Sequence, residues 1–282
     1  MAPSESTTAA VAHHTTASSA TKSSSSTSSS AASLATQSSQ PSSSPLPTPF
    51  DQGFAGNITE TCSNFVYGFL ADSTFTSCLP FSLLLQNSES FFQAEKSVLS
   101  ISQTLDATCA ANVNTCTDYM NGLSGNLTKA CTSDITAKNP AILQAQLGLN
   151  AYKTLYTASC LRNPSTSAYC FADAITNASS PSDSYIYYLP LNVSFPGGSA
   201  PTCSTCLVNT MAVLEEATSD RNSPIASDYA DAAQQINLHC GPGFVNTSLA
   251  AVSSPSMAGR PNIPAAELAL VVVLGALIFG GF

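Results

Sequence analysis

Charged side chains are scarce in this 282-residue chain: eight Lys or Arg and 17 Asp or Glu, together 9% of the residues. Between Asp51 and Ser256 there are six basic and 15 acidic residues, a net of −9 (6 − 15). No basic patch can be assembled from so few cations, which removes nucleic acid from the expected partners. A surface this poor in charge must be wetted by Ser, Thr, Asn and attached sugars, whereas about a quarter of residues are charged in an ordinary soluble domain. Histidine is equally thin. His13 and His14 lie in the amino-terminal tract, which leaves His239 alone between Asp51 and Ser256. A Ser-His-Asp triad would have to use it, and no G-x-S-x-G elbow is present. No P-loop or dinucleotide fingerprint appears either. The sequence therefore nominates no catalytic residue, no cofactor and no metal ligand.

Cysteine is abundant instead. All ten lie between Cys62 and Cys240: Cys62, Cys78, Cys109, Cys116, Cys131, Cys160, Cys170, Cys203, Cys206 and Cys240. An even count suits a disulfide framework built in an oxidising compartment. Cys203-Ser-Thr-Cys206 has the C-x-x-C spacing, but no βαβ pattern surrounds it and no second close pair exists for zinc, so a structural role is expected. His239, beside Cys240 at a predicted helix end, is expected to meet the helix dipole. Glu215-Glu216 reads as a solvated face.

The periodicity is helical. From Phe91 to Cys131 apolar residues recur in steps of three or four, and Cys109, Cys116 and Cys131 share that face. Asn112 and Asn114 divide the stretch into two helices. Upstream, Cys62, Phe65, Val66, Phe69 and Leu70 place one helix over about 59–71; after a break at Asp72-Ser73-Thr74 a short second one covers Cys78 to Leu85, with Pro80 near its first turn. Asn139-Pro140 opens a helix running to about Cys160, with two apolar faces and hence a central position. A short helix covers 167–176. Tyr185 to Gly198 mixes aromatic and β-branched residues with prolines and reads as an ordered loop or edge strand. Thr202 is expected to cap the next helix, Ser223-Pro224 to start the last, and Gly241-Pro242 to end it. The expected fold is all-α: a disulfide-braced bundle of about seven or eight helices with one irregular aromatic loop. Antiparallel neighbours would bring Cys203 or Cys206 near Cys240, and Cys116 near Cys160.

The ends differ from the middle. Residues 1–50 hold 25 Ser or Thr and only two charges, the composition of an extended, O-glycosylated stalk or a plain disordered tail. Residues 51–250 form the Cys-rich domain. Residues 251–267 form a linker, and Leu268 to Phe282 is an unbroken apolar run. Fifteen helical residues span about 22 Å, short of the roughly 30 Å hydrocarbon layer. Small residues, a polar spacer and an apolar tail make a GPI-attachment signal, with Ser256 the expected site and Ser254 next; a short tail anchor is the alternative. Met1-Ala-Pro-Ser-Glu-Ser shows no export leader, so the expectation is that a first exon lies upstream. Five sequons occur, at Asn57, Asn126, Asn177, Asn192 and Asn246. With so much Ser and Thr, chance alone supplies roughly four, so they are compatible with secretion without arguing for it.

Cys62-Ser-Asn-Phe65 with Phe69-Leu70, then Phe75-Thr-Ser-Cys78-Leu-Pro-Phe-Ser82, then Ser90-Phe91-Phe92, resemble an uncharacterised family of fungal secreted proteins, cysteine-rich and GPI-anchored. The resemblance extends more weakly through the later cysteines to Cys240. It implies location and class, and no activity. The missing leader departs from the family pattern. The expected function is a structural or interaction role at the cell surface, held to the membrane by a GPI lipid or to wall glucan. The alternatives are an extracellular binder of a lipid or carbohydrate near Tyr185, Tyr187, Tyr188 and Phe195, and an enzyme acting on wall polymer. The plainer expectation for those rings is that they tuck onto the helical core.

Overall fold

The computed structural model describes residues 45–54 and 57–252. Ser254, Ser256, the apolar run 268–282 and the tract 1–44 lie outside the described residues. Among the described residues there are twelve α-helices and one 3₁₀ segment, and no strand. In chain order these are α1 (Glu60–Leu70), α2 (Ser73–Cys78), α3 (Phe81–Asn87), α4 (Glu89–Ala94), α5 (Val98–Ala110), α6 (Val113–Ala130) and α7 (Thr132–Thr136). There follow α8 (Pro140–Asn150), α9 (Tyr152–Ser159), α10 (Cys170–Thr176), the 3₁₀ segment Pro181–Leu191, α11 (Thr205–Ala217) and α12 (Ile225–Cys240).

The fold class is as expected, but the helices are more numerous and shorter. The reason is local capping. Ser88 accepts from the Phe91 amide and Ser97 from the Ser100 amide, so the stretch from Phe91 is cut at Ser97 as well as at Asn112, which caps α6 through the Thr115 amide. It is three helices, not two. The predicted helix from Pro140 breaks at Ala151 into α8 and α9. The expected cap Thr202 is replaced by Ser204, whose hydroxyl accepts from the Leu207 amide. Gly241, at φ 108°, ends α12 in backbone territory that a side chain would make costly. Of the aromatic stretch read as loop or strand, Tyr185 to Leu191 belong to the 3₁₀ segment, where Pro190 lacks the amide that a continuing α-helix would use, and Asn192 to Gly198 are the expected irregular loop.

The buried side chains form two clusters. One gathers α1, α2, α6 and α8 around Val66, Phe75, Met120, Leu127, Ile142 and Tyr152. The other gathers α4, α5, α9 to α12 and the 3₁₀ segment around Phe91, Leu105, Leu155, Phe171, Tyr187 and Tyr229. Helix α3 serves both: Leu83 enters the first cluster, while Phe81, Leu84 and Leu85 enter the second. The α8–α9 pair also serves both, which is the central position its two apolar faces implied.

All ten cysteines are paired. The bridges are Cys62–Cys131, Cys78–Cys116, Cys109–Cys160, Cys170–Cys206 and Cys203–Cys240. The Cys203–Cys240 pairing agrees with the hairpin expectation. The expected Cys116–Cys160 approach does not occur. Cys160 meets Cys109 at the end of α5, because Tyr156 hydrogen-bonds the carbonyls of Cys109 and Ala111 and seats α9 there. Cys116, at the start of α6, turns to Cys78. By chain entropy each bridge restricts the unfolded chain by about 4 kcal/mol, comparable to the net stability of a domain.

Helices α3 and α8 cross at Gly148. A Cβ there would collide with Leu83 Cδ2, lie 3.0 Å from its Cγ and approach the Ser82 carbonyl oxygen at 3.3 Å. Gly125, exposed on α6, has nothing within 4 Å of such an atom. Gly148→Ala is expected to lose about 1–3 kcal/mol, while Gly125→Ala gains about 0.5–1 kcal/mol from reduced unfolded-state entropy. Urea unfolding of the two variants measures the opposite signs.

Candidate functional site

Asp118, Asp134, Glu215 and His239, which an enzyme reading would need to bring together, lie on four different helices, α6, α7, α11 and α12. Asp134, buried at α7, accepts from the Thr59 amide at 3.0 Å and hydroxyl at 2.7 Å, which ties α7 to the amino end of α1. Glu215 accepts from the Asn246 amide group. Asp118 is exposed on α6. His239 lies beside the Cys203–Cys240 bridge, its ring nitrogen and the two sulfurs within 4.8 Å of one another. Both sulfurs are consumed by the bridge, so no thiolate is free to join the imidazole in holding a metal. The two halves of the C-x-x-C pair belong to different bridges, Cys203 to Cys240 and Cys206 to Cys170.

The tyrosines divide by environment. Tyr187 is 1% exposed, its ring edge-on to Phe171 at 4.9 Å, and Phe195 is buried. Tyr185 is 38% exposed and Tyr188 half-buried. The rings expected to form one recognition surface thus mostly pack on the core. Period three explains this: in a 3₁₀ segment Ser184 and Tyr187 share a face, as do Tyr185 and Tyr188. Burial, with the nearby Glu95 carboxylate adding to it, pushes the Tyr188 hydroxyl up to about 12. Glu95 itself is half-buried, its Oε1 has no hydrogen-bond partner, and burial raises its carboxyl to about 7.

A cavity of about 220 Å³ lies where α10, the 3₁₀ segment and α11 meet. Its walls carry Asp173, Asp183, Asn163, Asn177, Tyr187 and Thr210 among the polar residues, and Ile186, Leu207 and Pro201 among the apolar ones. The Cys170–Cys206 bridge joins α10 to α11 in its wall. Asn163 donates to Asp173 Oδ2 at 2.8 Å. Asp183 is more fully engaged: Ser180 and the Thr202 amide donate to Oδ1 at 2.7 and 2.6 Å, and Asn177 to Oδ2 at 2.8 Å. Tyr187 and Thr210 share a hydrogen bond of 3.3 Å at the buried end. Burial, reinforced by the carboxylates of Asp173 and Asp183, holds the Tyr187 phenol well above its ordinary value despite the Thr210 contact, so it stays a neutral hydroxyl. No Lys, Arg or His lines this cavity. Sequence reasoning did not single out Asp173, Asp183 or Asn163. They come from three separate segments, so no spacing could announce them.

The sequons differ in the same way. Asn57, Asn126 and Asn192 are exposed. Asn177 uses its amide nitrogen twice, to Asp183 at 2.8 Å and Thr202 at 3.1 Å. A glycosylated amide keeps a single N–H, so a sugar there would break one of these bonds. In protein passed through the secretory route, glycopeptide mapping is expected to find Asn177 unmodified in the folded fraction. For Glu95 the sign is set by a folded value above the unfolded one, about 7 against 4.5. The native state holds a proton that the unfolded chain has released, so stability falls as pH rises through that window and is level above it. Glu95→Gln is expected to melt about 2–4 °C above the parent at pH 8, a screened effect of about 1 kcal/mol, with the difference vanishing near pH 4. Thermal scans of both proteins across pH 4–8 check it.

No curated protein and no solved structure matches this chain. One family model does, over residues 45–249, which holds every cysteine, both buried clusters and the cavity. The chain therefore belongs to the family described as Domain of unknown function (DUF7729).

Proposed function

We propose that this is a surface-tethered extracellular protein, exported through the secretory route, in which the helical domain serves a structural or interaction role. In this reading the tract 1–50 is a glycosylated stalk, Ser256 receives a GPI lipid as the apolar run 268–282 is removed, and the domain stands on the membrane or is passed to wall glucan. The fungal, cysteine-rich character inferred from the Cys62–Ser82 motifs fits the same setting. The observation that carries the reading is the complete pairing of ten cysteines into five bridges, with none left free. Bridges between separate helices persist where the environment is oxidising and are lost where thiol reductants dominate. The low charge density supports it, since such a surface depends on hydroxyls and sugars for its wetting. Among the described residues no helix is long and apolar enough to cross a membrane. Attachment in this reading rests on the added lipid.

The test uses the full chain behind an export signal in a eukaryotic host. Phosphatidylinositol-specific phospholipase is expected to release it from washed cells, and denatured, unreduced protein is expected to show no reactive thiol. Ser256→Leu combined with Ser254→Leu is expected to abolish release. Protein that stays with the cells after phospholipase and glucanase treatment, or that exposes most of its thiols, overturns the reading.

A further inference from the structure

We infer that the cavity between α10, the 3₁₀ segment and α11 is a binding site for a small neutral polyhydroxyl compound, of about the size of one sugar ring. This goes beyond the tethering reading and does not depend on it. The first observation is an unmatched donor. Tyr187 and Thr210 are 1% and 0% exposed, both line the cavity, and the 3.3 Å contact between them is the one hydrogen bond that either hydroxyl makes among the described residues. Whichever hydroxyl donates, the other retains a proton with no acceptor. A buried polar group left in that state costs free energy unless a ligand or water completes it. The second observation is an unmatched acceptor. Asp173 takes its one hydrogen bond, from Asn163, on Oδ2, and Oδ1 accepts none among the described residues.

A ligand that satisfies both must accept a hydrogen bond at the buried end and donate one toward Asp173. Hydroxyl groups do both. An ammonium group could pair with Asp173 but has no lone pair for the Tyr187–Thr210 proton. An anion meets two carboxylates and no cation. The remaining wall, Ile186 and Leu207, suits the C–H face of a polyol. At about 220 Å³ the cavity lies below the roughly 300 Å³ at which sites for drug-sized molecules begin, which limits the guest to about one ring. The ring faces of Tyr187 are already covered, so recognition here rests on hydrogen bonds and aliphatic contact, without the aromatic platform first sought at Tyr185 and Tyr188.

The test is ligand-observed saturation-transfer NMR on the oxidised, soluble chain lacking the apolar run 268–282. The probes are glycerol, glucose, mannose, galactose and N-acetylglucosamine, with n-butylammonium as the competing chemistry. At least one polyol is expected to show transfer and to raise Tm by about 3–5 °C at ten times its Kd. Tyr187→Phe and Asp173→Asn are each expected to weaken it about tenfold or more. Asp173 is only half-buried, so its variant carries the test should Tyr187→Phe expose thiols, the sign of misfolding. Absence of transfer to every polyol overturns the inference. So does equal binding by both variants, or binding of the ammonium probe alone. Failure of phospholipase release would leave these outcomes unchanged, so the two readings fail separately.

Discussion

Sulfur–sulfur bonds between short helices are the constraint on which the rest of this structure depends. Several helices are of five to eight residues, too short to be stable alone in water. Their stability must come from packing and from restriction of the unfolded chain. The five bridges supply the restriction, and their placement divides the work. Cys62–Cys131 and Cys78–Cys116 close the cluster around α1, α2 and α6. Cys170–Cys206 and Cys203–Cys240 close the cluster around α10, α11 and α12. Cys109–Cys160 fixes α5 against α9.

The two clusters stay one fold because α3 and the α8–α9 pair contribute side chains to both. That sharing demands close approach, which is why Gly148 stands against Leu83 and why α3 is buried along nearly its whole length. Leu79, just before α3, accepts a left-handed backbone at φ 35°, unusual for a branched side chain. Its carbonyl is held by the buried Thr108 hydroxyl at 3.2 Å, and its neighbour Cys78 is bridged, so the surroundings hold the turn in place. Electrostatics play little part. The ion pair Arg162–Asp106, at 3.3 Å on the surface, also engages the Tyr169 hydroxyl, and the Arg162 guanidinium lies 3.7 Å from the Tyr169 ring centre. Exposed pairs of this kind contribute little to stability.

The cavity follows from the same economy of helix length. Where α10, ending at Thr176, gives way to the 3₁₀ segment starting at Pro181, Asp183, Asn177, Ser180 and Thr202 form one hydrogen-bonded network. Asn177, Asp183 and Thr202 of that network line the cavity together with the Tyr187 and Thr210 side chains. The bridge Cys170–Cys206 sets the width of the gap, since it fixes α10 to α11.

Much of the architecture was legible before any coordinates. Helical periodicity, the Asn139-Pro140 start, the central role of residues 140–160 and the inward cysteines all follow from spacing along one chain segment. Local chemistry also set the caps, although choosing Ser204 over Thr202 required the backbone path. Three things could not be read that way. The partner of Cys160 depended on where Tyr156 seats α9. The first part of the aromatic stretch, Tyr185 to Leu191, turned into a 3₁₀ segment because Pro190 rules out a longer α-helix and no neighbouring strand exists among the described residues to pair with it. The cavity joins Asn163, Asp173, Asp183 and Thr210 from four segments. Periodicity is a property of neighbours in sequence, and it determines which face of each helix turns inward. Pairing and enclosure are properties of distant segments, and they were decided only when packing brought those faces together.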